Sequence, residues 1–305
     1  MSRDTRFDFL SQNLRGIARS LLTKAIFIKY LKMLETKIRK YITYLGDSEY
    51  MAEVVTSPGA VDTLIKLLQS NDDKIISDTC LFITDFVLSC SRNDTCKQSW
   101  ERELKPAIIP ELEHLILADN HFIRKQVIYT LGKICSYDSV PVMLNVFHQL
   151  RDQDPILLPR LIGELFWLGV DNGWDVIDSM VASNQYTTRW ATMTALDEFV
   201  YDSQKEDETF LMRKKFCNHL RHDAHPLVRE EAEYNYQFLE LQRRKHHENM
   251  SKHEYKKQKN FFSNLEDFLQ FKSIATHFSN YIYAHNSPTY TIEELKFFID
   301  NQYKK

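Results

Sequence analysis

Residues Ser57 to Leu88 read SPGAVDTLIKLLQSNDDKIISDTCLFITDFVL. Pro58 and Gly59 open the stretch, Leu64, Leu67 and Leu68 fall at 3 and 4 spacing, and Asn71 to Asp73 form a polar break. Beyond the break the apolar residues form a wider helical stripe. The pattern predicts two helices joined by a tight turn. Such a hairpin has two faces to bury and one partner helix, so it reaches a continuous core only by stacking on further hairpins.

Working outward, four more hairpins follow at similar spacing. The second runs from Pro106 to Cys135, with Ile108, Leu112, Leu115 and Ile116 on one helix and Phe122, Ile123, Val127, Ile128, Leu131 and Ile134 on the other. The third spans Val140 to Gly169 and turns at Asp152 to Pro155. The fourth spans Trp174 to Val200 and turns near Ser183 to Gln185, and the fifth spans Phe210 to Leu241 and turns at Asp223 to Pro226. Hairpin stacks need about three units for stability, a number this chain exceeds.

Two of these segments carry more than periodicity. In HPLVREEAEY, His225 to Tyr234, Pro226 starts the second helix where its missing N–H costs nothing. There Val228 points inward, Arg229 can reach neighbouring turns, and small Ala232 admits the adjacent helix. DNHFIRKQVIYTLGKIC, Asp119 to Cys135, is similar, with Arg124 in the place of Arg229, and Arg189 takes that place in the fourth hairpin. These segments resemble HEAT repeats, while SPGAVDTLIKLL resembles an armadillo repeat of the importin-α and β-catenin kind. The resemblance implies an all-α, right-handed α-solenoid of about five armadillo/HEAT-like hairpins over residues 57–244. A basic amphipathic helical segment would precede it (1–56), and a basic linker with a C-terminal helical cap would follow (245–305). Family members that hold basic peptides use a Trp and, four residues later, an Asn on successive inner helices. The matching places here read Leu81 with Asp85, Tyr129 with Lys133, and Thr194 with Glu198, so that ladder is missing.

Composition agrees with helices. The chain is 43% apolar and 27% charged, with only seven glycines and eight prolines in 305 residues. No apolar run approaches the roughly 18 residues of a membrane span, since Lys29 and Lys32 interrupt the best candidate around Ala25 to Leu34. The N-terminus lacks a secretory pattern, and Asp4 and Asp8 argue against a mitochondrial one. Cys80, Cys90, Cys96, Cys135 and Cys217 are odd in number and mostly set among apolar residues, so reduced thiols in a cytoplasmic or nuclear protein are expected.

Net charge is −3, but unevenly spread. Residues 1–40 hold ten Lys/Arg against three Asp/Glu, whereas residues 41–242 hold 18 against 32, a net of −14. Such an acidic centre disfavours nucleic acid, whose phosphates call for Lys and Arg. From Arg6 to Ile42, Phe7, Leu10, Leu14, Ile17, Leu21, Ile28 and Leu31 predict one or two basic amphipathic helices.

Catalytic chemistry is hard to place on this sequence. Cys217, His219, His222, Asp223 and His225 crowd one stretch, but it is the fifth turn, where polar residues belong, and the spacing matches no metal motif. No Gly-rich phosphate loop is present. No cofactor or metal is expected, and the chain reads as a non-enzymatic scaffold that binds a protein or peptide, with a basic partner favoured. Second helices would contribute Glu164, Asp197, Glu198, Glu230 and Glu231 to that surface, and Trp167 and Trp190 as aromatic anchors. The competing expectation rests on family resemblance: a DNA-binding protein, or a glycosylase for alkylated bases, built on HEAT-like repeats.

Overall fold

The computed structural model describes residues 28–30, 32–38, 40, 48–90, 94–170, 173–198, 206–247, 250–263 and 269–303. Most of the basic helix expected between Arg6 and Ile42 lies outside them. The described residues are helix and turn, divided into two compact units, Met1–Leu112 and Glu113–Lys305. No described helix is long and apolar enough to cross a membrane.

In the first unit, α1 (Ser48–Val55) packs on the hairpin of α2 (Ala60–Leu68) and α3 (Asp73–Cys90). Gly59 takes the left-handed conformation (φ 78°) that turns the chain into α2, an orientation glycine adopts without steric cost. Leu64, Leu67 and Leu68 are buried as their spacing predicts, as are Phe82, Ile83 and Phe86 of α3, which packs on α2. Leu34 and Ile38 are buried as well, so the last turns of the N-terminal segment contribute to a core. After α4 (Asp94–Ser99), a π-helical turn at Trp100–Leu104 seats Trp100 edge-on to Phe86 at 5.7 Å and leads into α5 (Lys105–Leu115).

The second unit is a two-layer stack. Its second helices are α6 (His121–Lys133), α8 (Leu158–Trp167), α10 (Tyr186–Asp197) and α12 (Pro226–His247). Its first helices are α7 (Val140–Leu150), α9 (Gly173–Val181) and α11 (Glu206–Leu220). Each of these packs on the second helix that follows it, and α6, α8, α10 and α12 lie against one another in sequence order. The wide stripes found in the sequence become the shared core: α6 packs on α8, with Ile123, Val127, Ile128 and Leu131 of α6 and Leu161, Ile162 and Leu165 of α8 all buried. Burying each such side chain contributes about 1.5–3 kcal/mol. Helix α8 ends at Gly169 (φ 71°), where Val170 N–H reaches back to the Leu165 carbonyl, a left-handed cap that suits glycine.

The chain continues through α13 (Lys252–Ser263), which packs on α12. It ends in α14 (Phe271–Ala284) and α15 (Ile292–Tyr303), which pack on each other. Thr291 and Glu294 cap α15 reciprocally, as their spacing predicts. The sequence places the whole of 245–305 beyond the fifth hairpin as linker and cap. In the structure α14 instead lies on α10, against the layer of second helices. An apolar stripe shows that a helix must be covered, without showing by what.

Candidate partner-binding face

The second helices are aligned by their turns. Arg124, Arg189 and Arg229 each donate to a carbonyl six residues earlier, at Ala118, Ser183 and Asp223, over 2.7–2.8 Å. Arg124 also binds Asp154 at 2.7 Å, and Arg189 grips Asp223 through two nitrogens at 2.6 and 3.0 Å. Asp154 and Asp223 sit in the turn of the next hairpin, so an arginine on one repeat holds the turn of its successor. Ser183 adds a step by donating to Asp152. Burial opposes ionisation of Asp223, but the Arg189 guanidinium outweighs it and holds the carboxyl below its usual range.

On this frame the seven expected binding residues fall into two groups. Glu164 is buried and accepts from Lys133 at 3.2 Å and Arg160 at 3.3 Å. Its side chain occupies a notch left by Gly132 of α6, where a Cβ would overlap its carboxylate. Trp167 follows on the same helix and is 55% exposed. The Lys133 ammonium lies 5.2 Å from the Trp167 ring and 5.0 Å from Tyr129, and Arg160 stands 5.0 Å over Tyr129. Glu198 lies against Gly163 of α8, half-buried, and Asp197 beside it is exposed and paired with Arg213 at 2.5 Å. Glu164, Trp167, Asp197 and Glu198 thus belong to the C-terminal half of the second-helix layer, which is open at Trp167 and Asp197.

The other residues are placed differently. Trp190 is fully buried, edge-on to Phe271 of α14 at 5.5 Å. Glu231 is buried too, and accepts the Phe271 N–H at 2.8 Å. Burial pushes its carboxyl up to about 8, with that N–H pulling the other way. Trp190 is therefore core rather than an exposed anchor, and Glu231 is an internal hydrogen-bond acceptor rather than a surface charge. Of the expected binding residues on α12, Glu230, its neighbour, is exposed.

Sequence reasoning did not assign a role to Tyr129, Lys133 and Arg160. Tyr129–Lys133 and Arg160–Glu164 at four-residue spacing on consecutive second helices were the available signal. It also missed a buried cluster at the far end of the same layer. Asp154 accepts from Tyr290 O–H at 2.6 Å and lies 2.9 Å from His121 Nδ1, in addition to its Arg124 contact. Burial alone would raise the Asp154 carboxyl, but His121, Arg124 and Tyr290 hold it down at about 2. The His121 backbone N–H, one of the unpaired donors at the start of α6, reaches the Pro288 carbonyl at 2.9 Å. The segment from Phe271 to Tyr290 is thereby pinned at both ends.

The fifth turn forms no chelating centre. Cys217 is buried and its thiol is pushed up to about 12 by desolvation, Asp223 is held by Arg189, and His225 stacks on Tyr186 at 3.7 Å. Among the described residues no group of three His, Cys, Asp or Glu side chains is arranged to hold a metal.

No family model matches the sequence, and no curated protein matches it. Among solved structures, the chain is similar to an engineered protein at 12% identity, covering 69% of this chain and 90% of that one, with a TM-score of 0.37. It is similar to computationally designed armadillo repeat proteins for modular peptide recognition at 14% identity, covering 70% and 92%, TM-score 0.35. It is also similar to a designed armadillo repeat protein in complex with a (KR)4 peptide at 15% identity, covering 68% and 90%, TM-score 0.34. The described residues form an all-α fold, and in the second unit the helical hairpins stack in sequence order with Arg124–Asp154 and Arg189–Asp223 linking their turns.

Proposed function

We propose that the chain is a non-enzymatic scaffold that holds a protein or peptide partner on the C-terminal half of its second-helix layer. The carrying observation is Trp167, a large indole left 55% exposed within a row of helices whose neighbouring positions are packed and paired. An aromatic presented on a rigid helix gives much contact area for little ordering cost, which is how binding hot spots are built. On the same half of the layer, Asp197 and Glu198 at the end of α10 supply negative charge that is not consumed in the core. Extended basic segments suit this surface: aliphatic stems would lie along Trp167 while the charged ends meet the carboxylates. Buried thiols at Cys80 and Cys217 fit a reducing compartment, cytoplasmic or nuclear.

A fluorescein-labelled octapeptide of alternating lysine and arginine tests this reading by anisotropy with the full chain. Saturable binding is expected, weakened about tenfold or more by Trp167→Ala and by the double reversal Asp197→Lys, Glu198→Lys, with folding unchanged by circular dichroism. Absence of binding, or binding indifferent to both changes, would remove the assignment. Tight, steeply salt-dependent binding of duplex DNA by the same protein would favour the nucleic-acid reading instead.

A further inference from the structure

The covered half of the second-helix layer behaves as a receptor for a helix. Phe271, Ile274, Phe278 and Ile282 form one buried stripe along α14, at spacings of 3, 4 and 4. The flanks of the same helix reach solvent, with Tyr281 at 47% and Tyr283 at 72% exposure. This is an amphipathic helix laid into a groove, a recurrent mode of peptide recognition. The groove supplies polar groups at both ends as well as an apolar floor. Gln270 gives α14 no side-chain cap, and the Glu231 carboxyl from α12 fills that role on the Phe271 N–H. At the other end, His121 N–H takes the Pro288 carbonyl and Asp154 takes the Tyr290 hydroxyl. Between them lie Trp190 against Phe271 and Phe122 edge-on to Tyr283 at 5.7 Å. Two of these polar contacts address main-chain atoms, the Phe271 N–H at the start of the helix and the Pro288 carbonyl in the extended chain that follows it.

We infer that this groove binds an amphipathic partner helix carrying apolar residues in the α14 pattern, and that α14 with α15 is its occupant in cis, displaced when the partner enters. The inference rests on the second-helix layer being the binding face, but concerns the half that the basic peptide does not need. An occupant that joins the stack through one face and a few latches opens at lower cost than the core helices beneath it. Its release would uncover Trp190, Glu231 and Asp154 together.

A labelled synthetic peptide of residues 269–303, added to the full chain, serves as the partner helix. It keeps Tyr290, so it can form the latch that a Tyr290→Phe chain has lost. Tyr290→Phe is therefore expected to bind the peptide about tenfold more tightly than the unaltered chain, equivalent to about 1.4 kcal/mol. A Phe278→Asp peptide is expected to bind neither. Hydrogen exchange on the unaltered chain provides a second reading that needs no variant: amides of α14 and α15 are expected to exchange at least tenfold faster than those of α8 and α10. Failure of the peptide to bind either chain, or exchange of α14 and α15 only together with α8 and α10, would overturn the inference. Failure of the lysine–arginine octapeptide alone would remove the basic-partner assignment and leave this one standing.

Discussion

Asp154 shows how one side chain can join three elements. From its turn it receives Arg124 and His121 of α6 in the preceding repeat and Tyr290 of the C-terminal segment, all while 2% exposed. Removing its charge leaves the arginine buried without its counterion, a change that costs about 3–5 kcal/mol in comparable sites. Asp154→Asn is therefore expected to lower the urea midpoint of the second unit strongly, where Asp119→Asn on the nearby surface should leave it within about 0.5 kcal/mol. Glu231 poses the opposite electrostatic problem. Its carboxyl is raised to about 8 from an ordinary 4.5, so the folded state keeps a proton that the unfolded chain gives up. The associated stability is fully present below pH 4.5, declines as pH rises, and is gone above about 8. Glu231→Gln retains an acceptor for Phe271 N–H and removes its titration, so the loss of stability toward pH 8 seen by chemical denaturation should become smaller than in the unaltered chain. An unchanged pH profile would show that the carboxyl is ionised and solvated in the fold.

At the scale of elements, hairpins were legible because periodicity and turn chemistry agreed. Pro226 and Asp223 mark the fifth turn, Asn120 caps α6 by accepting from Phe122 and Ile123 N–H, and the arginines recur where the repeat needs them. The inward face of α6 was legible for the same reason: Val127 and Leu131 are fully buried against α8. Val127→Asp should therefore unfold α6 together with α8, because an unpaired buried carboxylate costs several kcal/mol, comparable with the stability of a small domain. An unaltered thermal melt would contradict that packing. Placement of α14 was not legible, since its stripe at Phe271, Ile274 and Phe278 specifies burial without specifying a partner surface. For that reason Glu231 and Trp190 could be assigned to an open groove: what covers them lies at Phe271, 40 residues beyond Glu231.

Across the whole molecule, charge and architecture point in the same direction. The stretch 41–242 carries a net −14, and the second-helix layer retains accessible carboxylates at Asp197, Glu198 and Glu230. A field of one sign accelerates encounter with an opposite charge and weakens as salt shortens the screening length to about 8 Å near physiological strength. Association of the lysine–arginine octapeptide should accordingly slow as sodium chloride is raised, with the dissociation rate less affected. The layer itself is divided between a half occupied by the chain's own C-terminal helices and a half presenting Trp167. Hydroxyl-radical footprinting of the full chain, with and without saturating octapeptide, tests that division most directly. Trp167 is expected to oxidise readily in the free protein and to be protected in the complex, with Trp190 unreactive in both. Equal oxidation of Trp167 in the two states, with protection confined to first-helix positions such as Leu211, would contradict it.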